Sequence, residues 1–399
     1  MTAFRLAIAT TLAEVAPDAW DACANPSFET PPAAVPQDEC RGGERFNPFL
    51  THAFLNALEQ TGCVGGRTGW SPAHILLKDG AGKLVACAPA YLKRHSQGEY
   101  VFDHGLADAY ARAGGRYYPK LLCAVPFTPV NGRRLLVADG APPGAREALL
   151  EGLRNLSEKI QASSLHVNFT ETPDLDFLRK AGLLARKGQQ FHFFNRGYAS
   201  FDEFLGALAS RKRKAIKKER EQALSAGLTV EWVTGADLTE AHWDAFFAFY
   251  VDTGDRKWGQ PYLTRAFFSQ LGKTLGERTL LVLARREGRI IAGALNLIGD
   301  DALYGRNWGC VEDHPCLHFD LCYYQAVDFA LSRGLKRVEA GAQGEHKLAR
   351  GYEPVATFSA HEFRDPRLAA AAENFFAREA EAVDEVIAEY AEHAPFRKG

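Results

Sequence analysis

Residues 279–310 read TLLVLARREGRIIAGALNLIGDDALYGRNWGC, and the pattern of this stretch decides the fold. Residues 279–285 and 289–298 are runs of strand-forming residues joined through Glu287-Gly288, which is a hairpin signal. Residues 302–310 follow as a third strand. Beyond them the spacing predicts a helix over 319–333, a strand over 337–340, a short helix over 346–350 and a strand over 356–363.

The first half of the chain has the same order. Runs at 73–78 and 83–92 flank the turn Asp79-Gly80-Ala81-Gly82, and 100–102 reads as an extension of that sheet. A helix over 145–161, a strand over 165–169, a short helix over 175–181 and a strand over 189–194 complete it. Lys180-Ala181-Gly182-Leu183 matches Ala349-Arg350-Gly351-Tyr352 at an offset of 169, and Gln190-Phe191-His192 matches Ser359-Ala360-His361 at the same offset. The hairpins, Leu84 against Ile290, are 206 apart, so the first half carries 37 extra residues, placed around 107–139. The chain therefore reads as an α/β (α+β) protein made of two diverged copies of one unit. The copies are bounded at 1–198 and 199–399, each a mixed sheet flanked by helices.

Length and composition agree. The 399 residues are 46% hydrophobic, 24% charged and 11% aromatic, which excludes a disordered or collagen-like chain. With 47 basic and 49 acidic residues the net charge is −2, so any nucleic-acid contact requires a local basic patch. Eight cysteines occur without a C-x-x-C pair, a pattern that suits buried thiols in a reducing compartment rather than structural zinc, and no metal is expected. The first twenty residues make a poor signal peptide, and no run of 18 apolar residues exists, so the expected location is cytoplasmic. Residues 25–48 read as a long loop followed by a helix. Helices are expected over 240–253 and 261–275, with a long amphipathic one over 365–393.

Between the two copies lies the run Arg211-Lys212-Arg213-Lys214-Ala215-Ile216-Lys217-Lys218-Glu219-Arg220, which holds seven basic residues. On a helix, Arg213, Lys217 and Arg220 share one face, and Arg211 and Lys218 share another. A helix of such single-sign density repels itself unless an anion lies against it, so Arg211, Lys212, Arg213, Lys217 and Lys218 are candidate anion-binding residues. A solvated helix balanced by Glu219 and Glu221 is the alternative. No Ser-His-Asp or Cys-His signature, P-loop or dinucleotide fingerprint is present.

Several motifs carry a family resemblance that runs almost end to end. They are Gly69-Trp70-Ser71-Pro72-Ala73-His74, Gly98-Glu99-Tyr100-Val101-Phe102-Asp103, Tyr117-Tyr118-Pro119-Lys120-Leu121, Pro126-Phe127-Thr128-Pro129-Val130, the basic run, and Gly341-Ala342-Gln343-Gly344-Glu345-His346-Lys347 with Arg350-Gly351. In these the chain resembles the FemAB-like (peptidoglycan biosynthesis/recognition) N-acyltransferases, which implies two tandem GNAT-like domains. His104-Gly105-Leu106 departs from the family, where a Trp-containing segment is expected.

The resemblance implies an N-acyltransferase that moves an acyl or aminoacyl group from an activated donor to an amine acceptor, with a cell-wall precursor as one candidate acceptor. The co-substrate is an acyl-CoA or an aminoacyl-tRNA, with no tightly bound cofactor. The partners are then a small-molecule or peptide amine and, for the second donor, tRNA. The Gly-rich pyrophosphate loop of CoA-using GNAT enzymes is missing after Cys310. Val311-Glu312-Asp313-His314-Pro315 stands there, and its acidic pair repels a pyrophosphate.

The reacting groups are expected where the strands 304–310 and 337–341 separate. Glu345 and His346 are candidates for the general base or for a ligand of the substrate ammonium, Tyr323 for a general acid, and Glu339 for a carboxylate facing the cleft. Arg306 and Trp308 on the third strand, and Gln343, Lys347 and Arg350 in the Gly341–Gly351 segment, are candidate substrate-binding residues. Arg256 and Lys257 join them because they resemble a substrate-loop position of the family. A non-catalytic module that binds a peptide or peptidoglycan precursor is the rival reading. The sequence leaves the oligomeric state open.

Overall fold

In the computed structural model, residues 4–26, 46–225, 227–257, 261–342 and 344–397 are described. Most of the loop expected over 25–48, Cys40 included, lies outside them. In chain order the strands are β1 (Arg5–Ala9), β2 (Trp70–Pro72), β3 (His74–Lys78), β4 (Leu84–Ala88), β5 (Ala90–Lys93), β6 (Lys120–Cys123), β7 (Leu136–Val137) and β8 (Ser164–Thr170). There follow β9 (Leu184–Phe194), β10 (Thr229–Thr234), β11 (Thr279–Arg286), β12 (Arg289–Ile298), β13 (Ala302–Cys310), β14 (Arg337–Glu339) and β15 (Glu353–Phe363). The chain divides into two compact units, Met1–Gly188 with Ala356–Asp384, and Gln189–Val355 with Glu385–Gly399.

In the first unit, β1, β3, β4 and β7 form one sheet, and β2, β5, β6, β8 and the end of β15 lie side by side in that order. The run 83–92, expected as one strand, breaks at Pro89, which has no N–H to give to a ladder. There the chain leaves the partner strand of β3 and becomes the neighbour of β6. Residues 100–102 form no strand. Gly98 (φ +77°) and Tyr100 (φ +59°) turn the backbone, Phe102 is 54% exposed, and a helix begins at His104. β6 and β8 run parallel, with Leu121 opposite Leu165. The helix Ala145–Lys159 lays Leu149, Leu150, Leu153 and Leu156 onto Ile75, Leu77, Val85 and Leu165.

The second unit has the strand order β10-β11-β12-β13-β14, closed by the end of β9. All neighbours are antiparallel except β13 and β14. Its core packs Leu280, Val282, Ile291, Leu303 and Val338 from the strands against Leu321, Tyr324 and Phe329 from the helical segment after β13. Gly309 lies so close to the helix Glu240–Lys257 that a Cβ there would overlap the Phe249 carbonyl oxygen.

The repeat is visible in the backbone. Gly182 (φ +93°) and Gly351 (φ +85°), paired by the offset of 169, each end a short helix in the left-handed region that glycine favours. The strand after each one continues into the other unit: β9 starts in the first and ends in the second, and β15 does the reverse.

The family motifs of the first unit fold into a buried ionic cluster. Lys93 and Lys120 are neighbours across β5 and β6, and both are fully buried. Lys120 Nζ donates to Ser96 Oγ (2.8 Å), Glu99 Oε2 (2.8 Å) and Asp103 Oδ2 (2.5 Å), while Tyr117 Oη donates to Asp103 Oδ2 at 2.7 Å. Burial pushes Glu99 up to about 7 and Lys93 down to about 7. Burial would also raise Asp103, but Lys120 beside it wins and holds its carboxyl well below the usual range.

Buried histidines, His166 and His192 among them, are expected to make the protein sensitive to acid. Burial pushes His166 down to about 3 and His192 down to about 4, from an ordinary value of 6.5. Each stays neutral when folded and takes a proton when unfolded, so its contribution is complete above pH 6.5 and is lost as the pH falls toward the folded value. We expect each to cost about 2 kcal/mol of stability between pH 8 and pH 5. Urea unfolding across that range, with His166→Gln and His192→Gln flattening the slope, checks this. An unchanged slope in both variants would contradict it.

Candidate functional site

β13 and β14 pair only from Ala302↔Arg337 to Tyr304↔Glu339, and β13 then continues to Cys310 paired with β12 alone. The two strands therefore part at the expected place. On the other side of β13 the register with β12 slips by one residue, pairing Asn296 with Gly305 and Leu295 with Asn307. Arg306 is the bulged residue, and a bulge re-aims side chains next to a strand opening. After β13 comes a helical segment that starts at Leu317, is wound as a π-helix over Asp320–Tyr324 and continues to Ser332. π-turns of this kind are frequent at functional sites.

The space beside β13 is a pocket of about 340 Å³ lined by Thr253, Trp308, Cys310, 312–314, Pro315, Cys316, Leu317, His318 and Phe319. Behind it stands a cluster of rings. His318 lies 5.2 Å from Trp308, 5.5 Å from Tyr323 and 6.1 Å from His346 between ring centres. Tyr323 Oη and His346 Nε2 are hydrogen-bonded at 2.8 Å. Tyr323 is buried, which raises its hydroxyl and keeps it a phenol, whereas His346 is exposed. Gly344 (φ +113°) leaves room for the imidazole, since a Cβ there would meet His346 Cε1 at 2.5 Å. The hydrogen bond to Tyr323 and the room left by Gly344 hold the His346 ring in one orientation, as a general base requires.

The other predicted residues divide by burial. Glu345 is exposed and accepts a hydrogen bond from Tyr390, whose hydroxyl that bond and burial push up to about 12. Glu339 is buried and bound to Arg337 Nε at 2.9 Å, within a group that also holds Asp301 and His192. Lys347 is buried, donates to the Gly341 carbonyl at 2.9 Å and is pushed down to about 8 by its burial. Arg350 is also buried: it stacks on Phe319 at 3.4 Å, donates to the His346 carbonyl at 2.7 Å and grips both oxygens of Glu219 at 2.9 Å. Lys347 and Arg350 thus support the turn that carries His346, with their charged ends occupied by protein. Arg306 and Trp308 are half-buried along β13. Arg256 and Lys257 end the helix Glu240–Lys257, and only their backbone is described. Gln343 lies outside the described residues.

The basic run forms the helix Ser210–Leu224. Two of its charges face inward. Glu219 takes Arg350 and the Tyr324 hydroxyl, and Arg220 binds Asp320 at 3.1 Å and Asp328 at 2.9 Å while covering Phe201. Lys217 lies 3.6 Å from Asp202. Among the described residues Arg211, Lys212, Arg213, Lys214 and Lys218 make no side-chain ion pair or hydrogen bond. The burial of Asp320 against Arg220 is not legible in the sequence, because only the fold brings positions 100 residues apart together. Described cysteines are all free thiols, and no group of three or more metal-ligating side chains occurs among the described residues. No described helix is long and apolar enough to cross a membrane.

Comparison with known proteins adds a family and a fold. The FemAB-like family model, described as peptidoglycan biosynthesis/recognition, matches residues 11–398. Among curated proteins none matches this sequence. Among solved structures, FemX is similar at 14% identity over 80% of this chain and 93% of its own, with a TM-score of 0.50. L-PGS from Bacillus licheniformis is similar at 10% identity over 84% of this chain and 97% of its own, also at 0.50. A tandem GNAT protein from the clavulanic acid biosynthesis pathway covers 91% and 99% at 13% identity, with a TM-score of 0.46. At such identities the likeness is one of fold, and that fold is a mixed α/β one.

Proposed function

The chain belongs to the FemAB-like family, and on that premise we propose that it is an N-acyltransferase that transfers an aminoacyl group from tRNA to an amine acceptor. The observation that carries the reading is the Tyr323–His346 pair, held beside the opening between β13 and β14. In the proposed reaction His346 takes a proton from the acceptor ammonium. The free amine attacks the ester carbonyl, a C–N bond forms and the C–O bond to the ribose breaks. His346 then returns the proton to the departing oxygen, and the second proton of the attacking nitrogen passes to water as the neutral amide forms. Lys347 and Arg350 act by fixing the turn that carries His346, Glu339 is held by Arg337, and Arg306, Gln343, Arg256 and Lys257 remain candidates for contacts to substrate. Glu345, exposed beside His346, is the second candidate for the base.

Aminoacyl-tRNA is preferred to acyl-CoA as donor for two reasons. Glu312 and Asp313 occupy the place of a pyrophosphate loop, and the helix Ser210–Leu224 offers five cations that no acid among the described residues answers. Incubation with charged tRNA or acyl-CoA and a panel of amines, read by mass spectrometry, tests the proposal. Binding of a precursor without turnover from any donor would leave a recognition module instead, and transfer from acyl-CoA alone would overturn the donor. Replacing Lys212, Arg213, Lys217 and Lys218 by alanine is expected to raise KM for charged tRNA at least tenfold at unchanged kcat. It should also flatten the salt dependence of KM by roughly 0.7 to 0.9 for each phosphate that the helix no longer neutralises. A KM and salt slope equal to those of the parent protein would return this helix to a solvated role.

A further inference from the structure

A helix start after a GNAT-type third strand offers free N–H groups and the positive end of a dipole, which favours an anion. Here the same place has the opposite character. Among the described residues, the lining of the 340 Å³ pocket contains two carboxylates and neither lysine nor arginine. Glu312 is answered from outside the pocket by Arg286 at 3.2 Å and by Arg289, and it also meets His314 at 3.1 Å. Asp313 is exposed and, among the described residues, has no hydrogen bond or ion pair. The walls are aromatic: Trp308, His318 and Phe319, with His318 and Phe319 5.5 Å apart and one face of Phe319 covered by Arg350, which leaves Trp308 and His318 as the open rings. An uncompensated carboxylate at the rim of an aromatic-walled cavity is a setting for an organic cation, drawn by charge and by the ring faces. A phosphate would meet the repulsion of these carboxylates.

We propose that this pocket is a binding site for an alkylammonium group, the acceptor amine of the reaction, and that phosphate-bearing donors are excluded from it. The inference rests on the transfer reading above and adds the place and charge of the acceptor. Phe319 is 5.6 Å from His346 between ring centres, so an ammonium lodged against these rings lies within one side chain's reach of the proposed base. The cation that enters through attraction to Asp313 is also the species that must lose a proton before it can attack.

The test measures binding and needs no turnover. Cadaverine, Nα-acetyl-lysine amide, pyrophosphate and coenzyme A are titrated into the full chain by calorimetry. The two amines are expected to bind, about tenfold more weakly to Asp313→Asn and again more weakly to Trp308→Leu, while pyrophosphate and coenzyme A give no heat. Asp313 is exposed, so its variant folds as the parent does, and a circular dichroism melt verifies this. Amine affinity unchanged in Asp313→Asn, or binding of pyrophosphate that competes with the amines, would overturn the site. Amine binding with no transfer from any donor would keep the site and remove the transferase reading. Transfer that is indifferent to Asp313 and Trp308 would do the reverse.

Discussion

Replacing His346 by alanine lowers kcat/KM for aminoacyl transfer by about 10²- to 10⁴-fold, the usual contribution of a positioned general base. Thermal stability should be close to that of the parent, because the imidazole is exposed and its ring contacts lie at the rim of the cluster. Tyr323→Phe removes the oxygen hydrogen-bonded to His346 Nε2 but keeps the ring in the core, so a smaller loss of about tenfold is expected, with the pH profile displaced. The split between the two variants is the informative result. A base oriented by a phenol loses most when the imidazole goes and less when the phenol goes. Equal activity of His346→Ala and the parent would move the base to Glu345, and Glu345→Gln would then carry the larger loss.

Lys120→Met is expected to be the most damaging change to stability in the first unit, at about 3–5 kcal/mol in urea unfolding. Lys120 is fully buried and its three donors are all taken by Ser96, Glu99 and Asp103. Without it the two carboxylates remain buried with only Lys93, 3.7 Å from Glu99, to oppose them. The cost is that of stranded charge and not of poorer packing, since methionine fills a similar volume. The triple variant Lys120→Met, Glu99→Gln, Asp103→Asn removes the stranded charge and should recover most of the loss. If the triple variant is as unstable as the single one, charge is not the cause.

Much of the fold is legible in local patterns, and the site is legible only where its chemistry is local. The runs 279–298 and 302–310 appear as β11, β12 and β13 because near-continuous apolar, strand-forming runs and a Glu-Gly turn act over neighbouring positions. Gly341, Gly344 and Gly351 mark a turn for the same reason, and that turn does carry His346. What cannot be read is how a charged residue is used once buried. Arg350 and Lys347 look like substrate ligands in one dimension, yet Arg350 is spent on Glu219, 131 residues away, and Lys347 on a backbone carbonyl. The cluster of Lys93, Lys120, Glu99 and Asp103 is visible in the sequence only as motifs without a role. Its role is a meeting of four side chains that β5, β6 and the turn at Gly98 bring together. β1 escapes the sequence reading altogether. Its partner β3 supplies the ladder that a short, mostly exposed strand cannot specify alone.

The crossing of β9 and β15 between units has a consequence for synthesis. β8 lies ready once residue 170 is made, but its neighbour in β15 is 195 residues later at the His166–His361 pair. The first unit therefore leaves the ribosome with an open sheet edge, and it waits in that state for almost half the chain. Pairings of such long range are slow to form and expose hydrophobic strand edges meanwhile. A nascent chain halted before residue 356 should be more readily cleaved by protease in residues 164–170 than the released protein. The last strand to emerge closes the first unit to be made.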